Sequence, residues 1–424
     1  MTEAPLLTRY VRKEPPRPPF WRRHGLKIAA AAAPVLLLTL ATILGASLSL
    51  PLGQPNPAHN DPKMTWLRGA YGVPTLGPEG DDQRGEILAA AVDADLDFIV
   101  TVDKDRARAS SSPAPSLTVL PAAERDVGPG NLLFLGDDAL ADPALFPGDR
   151  QTRRPFAVAS HPNTLDVDWD LRALDPTMSA NIDARIADSF ERFGLDILNA
   201  RQQPQDERVF PFLAYAWASW MWLFNERHAL LLFYDRPQEI IALWDNMSKP
   251  ADLPIVGLCA ADTSALGLPH PLTLDAIGTY VVLDAPPPDN PDARRRAILD
   301  AITRGNTYCA LDLLARAQGF SFTATITGQK HQMGSRLDLD GEALFEIVAP
   351  EIPGVDARIS LFRDGTLHAL RAGRRASVTV STPGVYRVEV DLNVDKPASG
   401  DTWITWLYSN PIILTRPSQD RAAP

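Results

Sequence analysis

From about residue 64 to 318 the chain alternates short apolar runs with stretches of helical character. The runs "DFIVTV", "SLTVLP", "NLLFLG", "FAVASHP", "LDILNA" and "PIVGLCAAD" are too short for helices and are bounded by Gly, Pro, Asp or Asn. They read as buried strands. "DQRGEILAAAVDA" (82–94) and "NPDARRRAILDAITRGN" (290–306) read as helices. Strand and helix in alternation predict a parallel sheet covered by helices, either a barrel or a doubly wound sheet. From 319 to 418 the period changes to two, in "FSFTATITG", "LFEIVAP", "ARISLFRDG", "ASVTVST", "VYRVEVDLN" and "TWITWLYSN". Gly, Pro and Asp turns separate these runs, which predicts an antiparallel β-sandwich. One uncharged stretch, "VFPFLAYAWASWMWLFN" (209–225), is aromatic-rich and is expected to be a helix buried against the first domain, since about 17 residues is short for a membrane span.

The pattern before residue 64 is of another kind. Residues 28–53 carry no charge, and the first 27 residues hold seven basic groups against Glu3 and Glu14. An apolar run of this length crosses a bilayer, and the one-sided basic flank places the N-terminus in the cytoplasm. The organisation expected is a basic tail (1–27), a transmembrane helix (28–50) and a linker (51–63). A cleavable signal peptide is the competing reading, with Gly45-Ala46-Ser47 as a small-residue site, although its apolar core would be unusually long. Both readings put the bulk of the chain outside the cytoplasm.

Composition narrows the picture further. At 424 residues and 45% hydrophobic content, two or three domains are expected. The formal charge is −11, and −16 beyond the basic tail, which argues against a nucleic-acid partner. The two cysteines, Cys259 and Cys309, could pair in such a compartment or remain as isolated buried thiols.

Polar groups collect at the ends of the apolar runs: Asp103 and Lys104, Glu124, Asn131, His161 and Asp262. In a barrel they would converge at the mouth where strands end. Three acids and an imidazole there could ligate a hard or borderline metal. Each acid taken alone also suits an N-cap or a turn.

Six phrases in order carry a resemblance. "WLRGAYGVPTLGPEG", "ADLDFIVTVDKD", "LPAAERD", "GNLLFLG", "ASHPN" and "CAADTSALG" resemble successive motifs of the polymerase and histidinol phosphatase (PHP) superfamily, especially its membrane-tethered branch related to carbaryl esterase. The likeness runs over about residues 64–415. It implies a distorted (β/α)7 barrel (64–318) followed by the sandwich (319–418), and a multinuclear metal centre that activates water. The family's ligands do not all carry over. Gly72, Pro74, Lys104, Asn131 and Ser264 stand where its histidines would be, which leaves Glu124, His161 and Asp262 as a vestigial ligand set. Glycine and proline offer no side-chain donor, and an ammonium repels a dication.

The function expected is therefore a membrane-anchored binding or scaffolding module of the cell envelope, with no cofactor and no catalytic residue assigned. Asp103, Lys104, Asn131 and Ser264 would line its pocket, and the Lys104 ammonium would sit among Asp103, Glu124 and Asp262 in place of the lost ion. The alternative is a phosphoesterase or carboxylesterase that keeps one zinc or manganese ion on Glu124, His161 and Asp262.

Overall fold

The computed structural model describes residues 32–39, 64–76, 82–105, 107–108, 111–126, 130–136, 156–160, 192–199, 218–223, 225–231, 234, 236–249, 255–261, 270–394 and 403–417. Two units divide the chain, Met1–Leu48 and Ser49–Pro424. In the first, residues 32–39 are helical and Val35, Leu36, Leu37 and Leu38 are exposed. Among the described residues no helix is long and apolar enough to cross a membrane. Most of the 28–50 segment lies outside them.

The second unit opens with a closed barrel of seven strands: β1 (Thr65–Pro74), β2 (Phe98–Lys104), β3 (Thr118–Asp126), β4 (Asn131–Leu135), β5 (Phe156–Ser160), β6 (Arg192–Asn199) and β7 (Ile255–Ala260). Neighbours run parallel except β4, which is antiparallel to both β3 and β5. Alternate side chains point inward. Phe98, Val100 and Val102, with Leu120, Leu133, Phe156, Val158 and Leu258, fill the interior. The intervening residues Ile99 and Val119 face out, onto helix α1 (Arg84–Asp93) through Ile87, Leu88 and Ala91.

Short helices α2 (Glu226–Leu231), α3 (Gln238–Ser248) and α4 (His270–Leu274) follow. Helix α5 (Pro291–Arg304) has complete end signals. The Asn290 side chain accepts hydrogen bonds from the Asp292 and Ala293 amides, proline opens the first turn, and Gly305 ends the helix at φ +77°. Its Ile298, Ala301 and Ile302 join the interior cluster. They close the barrel at the end where β7 begins and β4 finishes, so the opposite end is the mouth. Of the aromatic stretch 209–225, residues 218–223 and 225 are described and 218–222 are helical, with Met221 buried and Trp220 partly exposed. The remainder falls outside the described residues.

The barrel closes through little backbone pairing. β1 meets β7 at the single register pair Tyr71–Ala260, and the Ala261 amide donates to the Tyr71 carbonyl at 2.8 Å. Gly72 makes this approach possible. Its φ is +71°, and a Cβ there would lie 2.8 Å from the Ala260 Cβ. The first half of β1 turns away from β7 and pairs with β8 (Gly278–Leu283), which pairs with β9 (Thr307–Ala310). Sequence periodicity does not announce β8 and β9, which form an antiparallel extension outside the strand-helix alternation.

β9 then pairs with β18, so the barrel sheet runs without a break into one sheet of the sandwich. That sheet holds β12 (Arg336–Asp338), β14 (Ala357–Arg363), β15 (Thr366–Ala372), β17 (Gly384–Asn393), β18 (Trp403–Ser409) and β19 (Ile412–Thr415). The other has the order β11 (Gln329–Gln332), β10 (Ser321–Ile326), β13 (Ala343–Val348), β16 (Arg375–Val380).

Three devices hold sandwich to barrel. Cys259 on β7 and Cys309 on β9 form a disulfide, which decides between the pair and the isolated thiols. The buried Asn410 side chain imitates a strand. Its Oδ1 accepts from the Gly257 amide at 2.8 Å and its Nδ2 donates to the Gly257 carbonyl at 3.0 Å and the Thr307 carbonyl at 2.9 Å. Arg387 on β17 grips Asp245 of α3 through two bonds, 2.6 and 2.7 Å, and Glu389 through a third at 2.5 Å. Arg236 holds Glu389 from the other side at 2.8 and 2.6 Å.

Asn410→Ala would leave the buried Gly257 amide and carbonyl without these partners. A loss of roughly 2–3 kcal/mol is expected in urea melts, since each orphaned buried polar group costs about 1–3 kcal/mol. A loss below about 0.5 kcal/mol would mean that the seam is satisfied some other way.

Candidate binding site at the barrel mouth

Period two settles which strand-end residues can face one another. On β2, Val102 points inward, Asp103 outward and Lys104 inward again. Asp103 is 4% exposed and is taken up outside the barrel. It accepts from Thr75 Oγ1 at 2.5 Å, Arg84 Nη2 at 2.6 Å and the Arg108 amide at 2.7 Å. The expected meeting of Asp103 with Lys104 in the mouth is thus corrected. Asp103 ties α1 and Arg108 to β2, and its cations are Arg84 and Arg108.

Lys104 is exposed at the mouth and stands in direct register with Glu124 on β3. Among the described residues it forms no ion pair with Glu124 or Asp103, and Asp262, the third carboxylate expected beside it, lies outside them. Glu124 is half-buried, and its Oε1 accepts from Ser160 Oγ at 2.9 Å. Ser160 continues the inward face of Phe156 and Val158 on β5. Asn131 opens β4 on the inward face that Leu133 and Leu135 continue, in register with Ser160.

Two further residues reach this floor and escape sequence reasoning. Tyr71 is 2% exposed, on the inward face of β1. Asp196 is 2% exposed on β6, and its Oδ1 accepts from the Ala260 amide at 3.2 Å. Burial, with the nearby charges of Asp196 and Glu124, pushes the Tyr71 hydroxyl well above the ordinary tyrosine range, so it stays a neutral phenol. Both signals were present in the chain: a lone acid inside the apolar run "LDILN", and a tyrosine two positions past Gly69. His161, Asp262 and Ser264 lie outside the described residues.

The structure thus brings together Tyr71, Lys104, Glu124, Asn131, Ser160 and Asp196. Among the described residues no group of three or more His, Cys, Asp or Glu side chains is placed to hold a metal ion. The walls offer two carboxylates, a phenol, a hydroxyl, an amide and an ammonium. Multinuclear centres need several anionic or imidazole donors per ion, and an amine beside Glu124 opposes a dication. The described donors do not fit such a centre.

No protein-family model and no curated protein matches the chain. Among solved structures, one similar chain is a two-domain protein from Bacteroides vulgatus, described as containing a predicted PHP-like metal-dependent phosphoesterase. The match spans 84% of this chain and 98% of that one, at 11% identity and a TM-score of 0.37. A likeness this slight carries no argument about the chemistry, which rests on the residues of the mouth.

Proposed function

We propose that this chain is a PHP-like barrel and sandwich held at the outer face of a cell membrane, whose mouth binds a ligand or envelope partner without a multinuclear metal centre. The observation that carries the reading is the register of Lys104 beside Glu124. An ammonium occupies a position at which the PHP pattern has a metal-binding imidazole. Gly72 supports it as well, since barrel closure at Ala260 leaves no room for a side chain there. The uncharged 28–53 segment with its basic flank supports the membrane anchor. The Cys259–Cys309 bridge supports an oxidising compartment.

Elemental analysis of the full-length protein, purified in detergent without chelators, tests the reading. Less than one zinc or manganese ion per chain is expected. Two or more tightly held ions would overturn it in favour of a metal-dependent hydrolase. A single ion released by His161→Ala would instead support the one-ion hydrolase on Glu124, His161 and Asp262.

A further inference from the structure

Strand β15 is a free edge of the large sandwich sheet. Among the described residues it pairs with β14 alone, so the backbone groups on its far side meet no strand. An edge of this kind is where another chain can add a strand. Its side chains are unusual for an edge left to water: Leu367 is 51% exposed and Leu370 48%, and the Arg371 guanidinium has no carboxylate partner among the described residues. The register with β14 decides where they point. Leu361 pairs with Ala369 and Phe362 with Leu367, so His368 is one residue too many and β15 bulges there. Residues three apart on a regular strand lie on opposite faces. The bulge cancels that. Leu367 lies opposite Phe362 and Leu370 opposite Ser360, which share the outer face of β14, where the Arg387 guanidinium covers the Phe362 ring. Ala369 and Arg371 lie opposite Leu361 and Ile359 on the inner face, and His368 points the same way, against the buried Tyr386 ring. Thr366, opposite Arg363, also falls on the inner side. From 366 to 371 the faces therefore read inner, outer, inner, inner, outer, inner. The order is the same in both directions.

We infer that β15 pairs antiparallel with β15 of a second copy of this chain, about a twofold axis between His368 and Ala369. Leu367 of each copy then lies opposite Leu370 of the other, which gathers four exposed leucines on the outer face. His368 lies opposite Ala369, and Arg371 opposite Thr366, with Asp364 of the hairpin turn within reach of the guanidinium. Each copy thus supplies the carboxylate that the other's arginine lacks. A bulge on an edge ordinarily discourages pairing, because a regular strand does not match its spacing. A second copy carries the same bulge at the same place, so the edge that excludes other strands accepts its own. Such a self-complementary patch is what a twofold interface requires. The seam is short against the roughly 1,600 Å² of a standard interface, so the dimer is expected to be reversible.

Both native cysteines are bridged, so one introduced cysteine is the only free thiol. Mild oxidation of full-length His368→Cys is expected to give a disulfide-linked dimer, since the two copies of position 368 lie about 6 Å apart in this register. Thr366→Cys is expected to give none, because its copies lie on the order of 17 Å apart. Mass measurements of the full-length protein over a concentration series give a second readout. Leu367→Arg and Leu370→Glu, each alone, are expected to weaken dimerisation at least tenfold while leaving the melting temperature of the monomer unchanged. An equimolar mixture of the two should restore the dimer, because the pairing sets the new arginine against the new glutamate. No crosslink in His368→Cys, equal crosslinking in Thr366→Cys, dimers that survive both leucine substitutions, or a mixture as monomeric as its components would overturn the inference.

Discussion

Arg387→Met is expected to destabilise the protein by roughly 3–5 kcal/mol, because it leaves a buried carboxylate without its partner. The Arg387 side chain is 2% exposed and Asp245 is 8% exposed, so solvent screens the pair little. Methionine would keep much of the contact with Trp244 and Phe362, whose rings lie under the guanidinium. Asp245 would lose both of its bonds to Arg387, while Glu389 would keep Arg236. The effect should depend on pH in a defined direction. Burial alone would push the Glu389 carboxyl up, but hydrogen bonds from Arg236 and the charges of Arg387 and Arg236 together hold it below its ordinary value of 4.5. Its contribution is therefore present above about pH 4.5 and is lost as the pH falls below that value. In Arg387→Met this acid-side loss should be shallower. Urea melts at pH 7 and pH 4 check both statements, and a loss under about 1 kcal/mol at pH 7 would reject the clamp.

Reduction of the Cys259–Cys309 bridge is expected to cost about 4 kcal/mol, because it closes a loop of 50 residues whose entropy the unfolded chain regains. The comparison needs no substitution. The oxidised protein should show no reactive thiol when denatured without reductant, and two after reduction. Urea melts with and without reductant then give the energy. Two titratable thiols in the unreduced, denatured protein would refute the pairing.

The chain announced its two architectures well. The runs that became β2 to β7 were legible because each is short and apolar, and the residues that became α5 carried an N-cap asparagine, a first-turn proline and a terminal glycine. β15 was not legible, since it is exposed on both faces and so shows no alternation. β9 has four residues, too few for a periodic signal. The site was legible in part. Glu124, Lys104 and Asn131 stand out in the sequence as polar residues at strand ends, but so does Asp103, and only the alternation of faces along β2 separates it from Lys104. Tyr71 and Asp196 were missed because they sit inside apolar runs, where a polar residue is easily read as packing. Asn410 gave no warning, since its partner Gly257 is 153 positions away.

That distance bears on how the molecule is made. The seam between β1 and β7 is completed by β9 and by a side chain near the end of the chain. A polypeptide emerging from its N-terminus has therefore produced all seven barrel strands well before the group that satisfies Gly257 arrives. Until residue 410 is made, the Gly257 amide and carbonyl on the barrel edge lack the partner they have in the folded protein. Folding dominated by such distant contacts is slow, and the waiting edge is a place where another chain can pair. A chain cut short before β18 thus has a complete list of barrel strands but lacks the side chain that satisfies Gly257.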